Sequence, residues 1–180
     1  MGETIKLHRN CKATVIPGGE QFTLEQGAEV EMMQSLGGSY TVMTHTGHLV
    51  RIDGQDADAL GKAVQRPPTA EEAKDVPLEK LVWDQLKTCY DPEIPIDIAN
   101  LGLIYKCDIA SHPTGEGHSV YIQMTLTAPG CGMGGVLAQD VQGKIERLPG
   151  VKEVKVDLVW DPPWNTNMMS DAAKLKLGML

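Results

Sequence analysis

The residues best suited to chemistry lie in the stretch Leu126-Thr127-Ala128-Pro129-Gly130-Cys131-Gly132-Met133-Gly134-Gly135. It follows an alternating, strand-like run and precedes a run with helical spacing. A cysteine at such a junction sits near a helix N-terminus, where unsatisfied N–H groups and the positive end of the dipole gather. Both favour the thiolate, the nucleophilic and metal-binding form. The flanking glycines allow unusual dihedrals and close approach of backbone or ligand. The alternative is a buried cysteine acting as a small hydrophobe, but Pro129 and the surrounding glycines argue against a packed position. The glycine run lacks the Lys-Ser/Thr of a phosphate-binding loop and the G-x-G-x-x-G spacing of a dinucleotide site.

A second candidate is Asp91-Pro92-Glu93-Ile94-Pro95. Pro92 and Pro95 disfavour helix at the residues before them, so Asp91 and Glu93 are held in a stiff loop. These carboxylates could ligate a metal or accept a proton beside a thiol. Asp-Pro is also a common turn, and spacing alone leaves the two readings open. Trp160-Asp161-Pro162-Pro163-Trp164 is a third candidate, a rigid amphipathic platform that either caps the core or recognises a partner. His45 and His48 read as a polar turn around Gly47, because no complete ligand set accompanies them.

The 180 residues carry a formal charge of −8, which speaks against nonspecific binding to nucleic acid or an anionic membrane. The four cysteines, Cys11, Cys89, Cys107 and Cys131, include no C-x-x-C pair. No self-contained zinc or Cys₄ cluster motif is visible. Four are too few for a disulfide scaffold, so a reducing compartment is expected. No apolar run is long enough to span a bilayer and no signal-like segment opens the chain. The expectation is a soluble cytoplasmic protein.

The elements that must position these residues fall into two parts. Short β-type runs at residues 4–7, 13–16, 21–24, 30–33, 40–43 and 49–52 are separated by glycine turns, which predicts a small all-β module, barrel or sandwich, over residues 1–66. Residues 67–76 read as a polar, Pro-rich connection, with Thr69 and Glu72 spaced as a capping box. Leu78, Leu81, Val82, Leu86 and Cys89 then form one helical stripe, beginning near Pro77, which is tolerated in a first turn. Leu103, Tyr105, Cys107 and Ile109 alternate with Ile104, Lys106 and Asp108, and a second alternating run covers 120–127; together they predict a hairpin. Val136, Leu137, Val141, Ile145 and Leu148 give a second helix, and Val154, Val156 and Leu158 a third strand. The fold expected for residues 77–180 is α+β, a helix-strand-strand-helix-strand sandwich with both helices on one sheet face. Ser170 or Asp171 starts a short final helix ended by Gly178.

Four motifs occur in order: Asp91-Pro92-Glu93-Ile94-Pro95, Asn100-Leu101-Gly102-Leu103-Ile104-Tyr105, Thr125-Leu126-Thr127-Ala128-Pro129-Gly130-Cys131 and Trp160-Asp161-Pro162-Pro163-Trp164. Their joint occurrence resembles the small domain shared by SufT-type iron–sulfur assembly factors, eukaryotic cytosolic assembly factors and the PaaD proteins of phenylacetate degradation. The resemblance covers about residues 76–180, and the β-rich first part resembles the longer SufT form. It implies a role in maturing iron–sulfur proteins, with Cys131 as the reactive cysteine and Asp91 and Glu93 as the acidic loop. It further implies transient iron or an iron–sulfur cluster as cargo, and iron–sulfur assembly proteins and apo client proteins as partners. Thr127, Gly130, Gly132, Trp160 and Trp164 are the binding positions expected around this centre. Relatives often carry Pro where this chain has Gly132, and Ser or Thr at the place of Asp97. One cysteine cannot hold a cluster that normally takes four ligands; a second copy in a homo-oligomer, a client or a small thiol must complete the set. The expectation is a carrier rather than an enzyme. The alternatives are an adaptor with a structural Cys131 and a thiol-dependent redox module, which needs an adjacent base.

Overall fold

The computed structural model describes residues 2–91, 94–128 and 134–180. The chain divides into two compact units, Met1–Arg66 and Pro67–Leu180.

In the first unit, six strands form one antiparallel sheet: β1 (Thr4–Lys6), β2 (Cys11–Val15), β3 (Gln21–Leu24), β4 (Glu29–Leu36), β5 (Ser39–Thr44) and β6 (Leu49–Ile52), in the order β1-β4-β5-β6-β2-β3. Its core is built by the alternate residues of these strands, Val30, Val42, Val50 and Ile52 among them, closed by Ala57, Ala59 and Leu60 of a 3-10 turn. His48 lies in the turn after β5. Its Nδ1 is 2.9 Å from Thr46 Oγ1, and its backbone N–H donates to Thr44 Oγ1 at 3.0 Å. This is a polar turn, as the spacing suggested.

The second unit opens with α1 (Ala70–Ala73). Thr69 caps it in a capping box with Glu72, and Ala73 and Val76 pack on the core of this unit. Then follow α2 (Leu78–Leu86), β7 (Ile104–Ser111), β8 (His118–Met124), α3 (Gly134–Glu146), β9 (Val151–Leu158) and α4 (Asp171–Lys176). The sheet order is β7-β8-β9, with β7 antiparallel and β9 parallel to β8. The helix-strand-strand-helix-strand order is therefore the one the periodicities predict, with the third strand beside the hairpin. Leu81, Val82 and Leu86 of α2 and Val141 and Ile145 of α3 are buried in one core with Val120, Ile122 and Met124 of β8. Each such side chain contributes about 1.5–3 kcal/mol by leaving water. The opposite sheet face is polar. Tyr121 lies between Lys106 and Lys155, whose ammonium groups are 6.0 and 5.8 Å from its ring centre, and its hydroxyl donates to Asp157 at 2.9 Å.

One local expectation is corrected. Strict alternation put Tyr105 on a face with Cys107 and Ile109. Strand β7 carries a bulge between Ile104 and Lys106, which inserts one residue and changes which side chains share a face. Ile104, Cys107 and Ile109 are instead the partners of Met124, Ile122 and Val120, and all three pack on the core. Tyr105 leaves that face, and its hydroxyl donates to the Pro162 carbonyl at 2.7 Å. Cys107, expected in the core, is only partly buried because β7 is an edge strand.

Gly102 ends the turn before β7 with φ +76°, and a Cβ there would collide with the Met168 carbonyl. Both the left-handed backbone and the close approach require glycine. Gly102→Ala should cost about 1–3 kcal/mol, read as a lower urea midpoint; an unchanged midpoint would contradict this packing.

Candidate functional site

The loop that follows α2 returns on itself. Tyr90 and Asp97 form an isolated antiparallel bridge, and the Ile98 N–H donates to the Cys89 carbonyl at 2.8 Å. The acidic stretch is thereby closed at its base. The Leu103 N–H donates to the Ile98 carbonyl at 3.1 Å, and the Thr125 N–H donates to the Leu103 carbonyl at 2.9 Å. Three backbone bonds thus run from the base of the acidic loop to the end of β8, from which the chain enters the cysteine stretch. Ile98, Leu101 and Leu103 are fully buried, so these bonds form away from competing water.

The tail joins at the same end of the sheet. The Val159 N–H donates to the Met124 carbonyl at 2.8 Å, so β8 and β9, which are parallel, deliver Thr127 and Trp160 from their carboxyl ends. Ligand sites in sheets with parallel strands favour this end. The Trp164 indole N–H donates to the Leu101 carbonyl at 2.7 Å. Trp164 is half-buried and caps the loop, while Trp160 is 45% exposed. Of the two roles the sequence left open for the pair, Trp164 takes the capping one.

Asp91 is 3% exposed, and its Oδ1 accepts the Ile94 N–H at 3.2 Å. Thr127 is half-buried. Cys131, Glu93, Gly130 and Gly132 lie outside the described residues. Helix α3 starts at Gly134, three positions after Cys131 in the sequence. Among the described residues no cluster of three or more His, Cys, Asp or Glu is placed to hold a metal ion.

Two groups of supporting contacts escaped the sequence reading. Asp140 and Lys144 of α3 form an ion pair at 3.6 Å, with side chains only 5% and 11% exposed. Lys144 also donates to the Thr88 carbonyl at 2.9 Å and to Thr88 Oγ1 at 3.1 Å. It ties α3 to the end of α2, immediately before Cys89 and the acidic loop. The i,i+4 Asp-Lys spacing was the available signal. The second group is Asp97, Asn100 and Ser170. Asp97 accepts from the Asn100 N–H at 2.9 Å and from Asn100 Nδ2 at 2.7 Å, and the Ser170 hydroxyl donates to Asn100 Oδ1 at 2.8 Å.

The family model described as an iron–sulfur cluster assembly protein matches residues 79–158, from within α2 to the end of β9. The Fe-S protein maturation auxiliary factor of Porphyromonas gingivalis is 47% identical over 102 residues, which span 57% of this chain and 92% of that protein. The chain belongs to the iron–sulfur cluster assembly protein family. Another relative, the Fe-S protein maturation auxiliary factor SufT of Staphylococcus aureus, is 42% identical over 89 residues, 49% of this chain and 96% of its own. A crystal structure of a domain of unknown function, DUF59, from Bacillus anthracis is 36% identical and covers 57% of this chain and 93% of that one, with a TM-score of 0.49. The family match includes Asp91, Glu93, Thr127 and Cys131. Trp160, Trp164 and the first unit lie beyond it.

Not every thiol of this family member is suited to reaction. Burial pushes the Cys107 thiol up to about 11, with Glu79 and Asp108 adding to it. Alkylation of Cys107 should accordingly be slow near neutral pH and rise until about pH 11, as followed by peptide mass spectrometry. A midpoint near the ordinary thiol value of about 8.5 would contradict this environment.

Proposed function

We propose that this protein is an auxiliary factor in the maturation of iron–sulfur proteins. In this reading it carries iron or a cluster transiently as cargo, and it turns over no substrate of its own. Cys131 supplies the thiolate, and Asp91 or Glu93 supplies oxygen ligands. Ligation releases the thiol proton and leaves the metal with too few protein ligands for storage. A client protein, an assembly protein or a second copy then completes the coordination, and transfer follows by ligand exchange.

The observation that carries this reading is the backbone relay from Cys89 through Ile98 and Leu103 to Thr125. It links the stem of the acidic stretch to the strand end that leads into the cysteine stretch. Family membership and the names of the relatives support the role. Among the described residues no helix is long and apolar enough to cross a membrane. We place the protein in the cytoplasm, where thiols such as Cys11 and Cys107 stay reduced. The exposed Trp160 suits a contact with an assembly protein or client, since tryptophan is enriched where interfaces form.

Anaerobic reconstitution with iron and sulfide tests the reading, wild type beside Cys131→Ser. Visible cluster bands and bound iron in the wild type, lost in the variant, are the expected result. Absence of iron from both proteins would overturn the carrier role in favour of an adaptor that acts through protein contacts. Equal iron in both would remove Cys131 from the site.

A further inference from the structure

Asp97, Asn100 and Ser170 form a chain whose hydrogen-bond direction is fixed by elementary chemistry. Asp97 is 9% exposed, and an ionised carboxylate only accepts. The Asn100 amide must therefore turn its NH₂ toward Asp97 Oδ2, as found at 2.7 Å. Its carbonyl oxygen is left facing Ser170, whose hydroxyl supplies the proton at 2.8 Å. The Ser170 oxygen in turn accepts the Ala173 N–H at 3.1 Å and caps α4. The Ser170 N–H donates to the Asn100 carbonyl at 2.8 Å. Lys176, in the last turn of α4, donates to the Pro95 carbonyl at 3.1 Å. Asp97 is also the bridge partner of Tyr90, so its position sets the stem of the acidic loop.

We propose that the Ser170–Asn100–Asp97 chain is a latch through which the C-terminal segment sets the acidic loop in register for metal ligation. Ser170 and Asn100 are positioning residues in it. This inference rests on the proposed ligation of iron by the acidic loop and Cys131. Partners that orient a ligand-bearing segment typically contribute 10–100-fold in metal affinity, and the chain here has one donor order that satisfies every member. In this role the chain acts on the loop and makes no contact of its own with cargo. Its effect is the geometry of the loop.

The test uses the full chain, iron(II) alone as probe under anaerobic conditions, and hydrogen exchange of the amides around Ile98. Ser170→Asp keeps an acceptor for the α4 cap but has no proton for Asn100 Oδ1. Ser170→Thr keeps both functions. Val154→Ala, in the core of β9, controls for lost stability. Ser170→Asp should weaken iron(II) binding about tenfold and speed exchange at Ile98 and Asn100. Ser170→Thr should restore both, and Val154→Ala should lower the melting temperature without changing iron affinity. Wild-type affinity in Ser170→Asp, or an equal loss in Val154→Ala, would overturn the latch. If the wild type binds no iron(II), the proposed function fails. Exchange then still judges the latch: unchanged rates in Ser170→Asp would overturn it.

Discussion

The constraint on which the second unit depends is the run of backbone hydrogen bonds from Cys89 to Ile98, from Ile98 to Leu103, and from Leu103 to Thr125. These residues belong to no helix and, at this point, to no strand. Buried backbone groups without partners cost about as much as a lost hydrogen bond, so a loop this deep must pair its own groups. It does so by linking the stem of the acidic stretch to the end of β8. The burial of Ile98, Leu101 and Leu103 then makes the linkage hard to open.

Other contacts reinforce that base from three sides. Trp164 closes it from the tail through the Leu101 carbonyl. Lys144 secures the end of α2 from α3. Ser170 and Asn100 hold Asp97 from the start of α4. Breaking a buried pair such as Asp140–Lys144 would leave a stranded charge, so these ties resist piecemeal loss. The parallel pairing of β8 and β9 adds the topological reason: two strand ends, carrying Thr127 and Trp160, open at one edge. The described entries to the candidate motifs thereby lie at one end of the sheet, and the opposite sheet face remains a solvated grid of charges around Tyr121.

Much of this scaffold was legible because it is periodic. The stripe of Leu81, Val82 and Leu86 announces α2, and the alternation of Val120, Ile122 and Met124 announces β8. The capping box at Thr69 and Glu72 and the start of α4 at Ser170 follow from local chemistry. The bulge at Ile104 and Lys106 was not legible, since alternation has no means of marking one inserted residue. Nor was the latch: Asn100 and Ser170 are 70 positions apart, and each alone reads as an ordinary polar loop residue. The candidate site was read from residue type, from a glycine-framed cysteine and a proline-stiffened pair of carboxylates, and Cys131 and Glu93 lie outside the described residues. Its role came from the joint resemblance of four motifs, because one thiolate and two carboxylates do not by themselves specify a cargo.

The central claim is that the acidic loop and Cys131 serve one metal ion. X-ray absorption at the iron edge of the loaded protein addresses it directly, comparing wild type with Cys131→Ser, Asp91→Asn and Glu93→Gln. The account predicts a mixed shell of sulfur and oxygen around one iron, with sulfur lost in the cysteine variant and oxygen altered in at least one carboxylate variant. An oxygen-only shell indifferent to Cys131→Ser, or a sulfur-bound iron unaffected by both carboxylate variants, would contradict it.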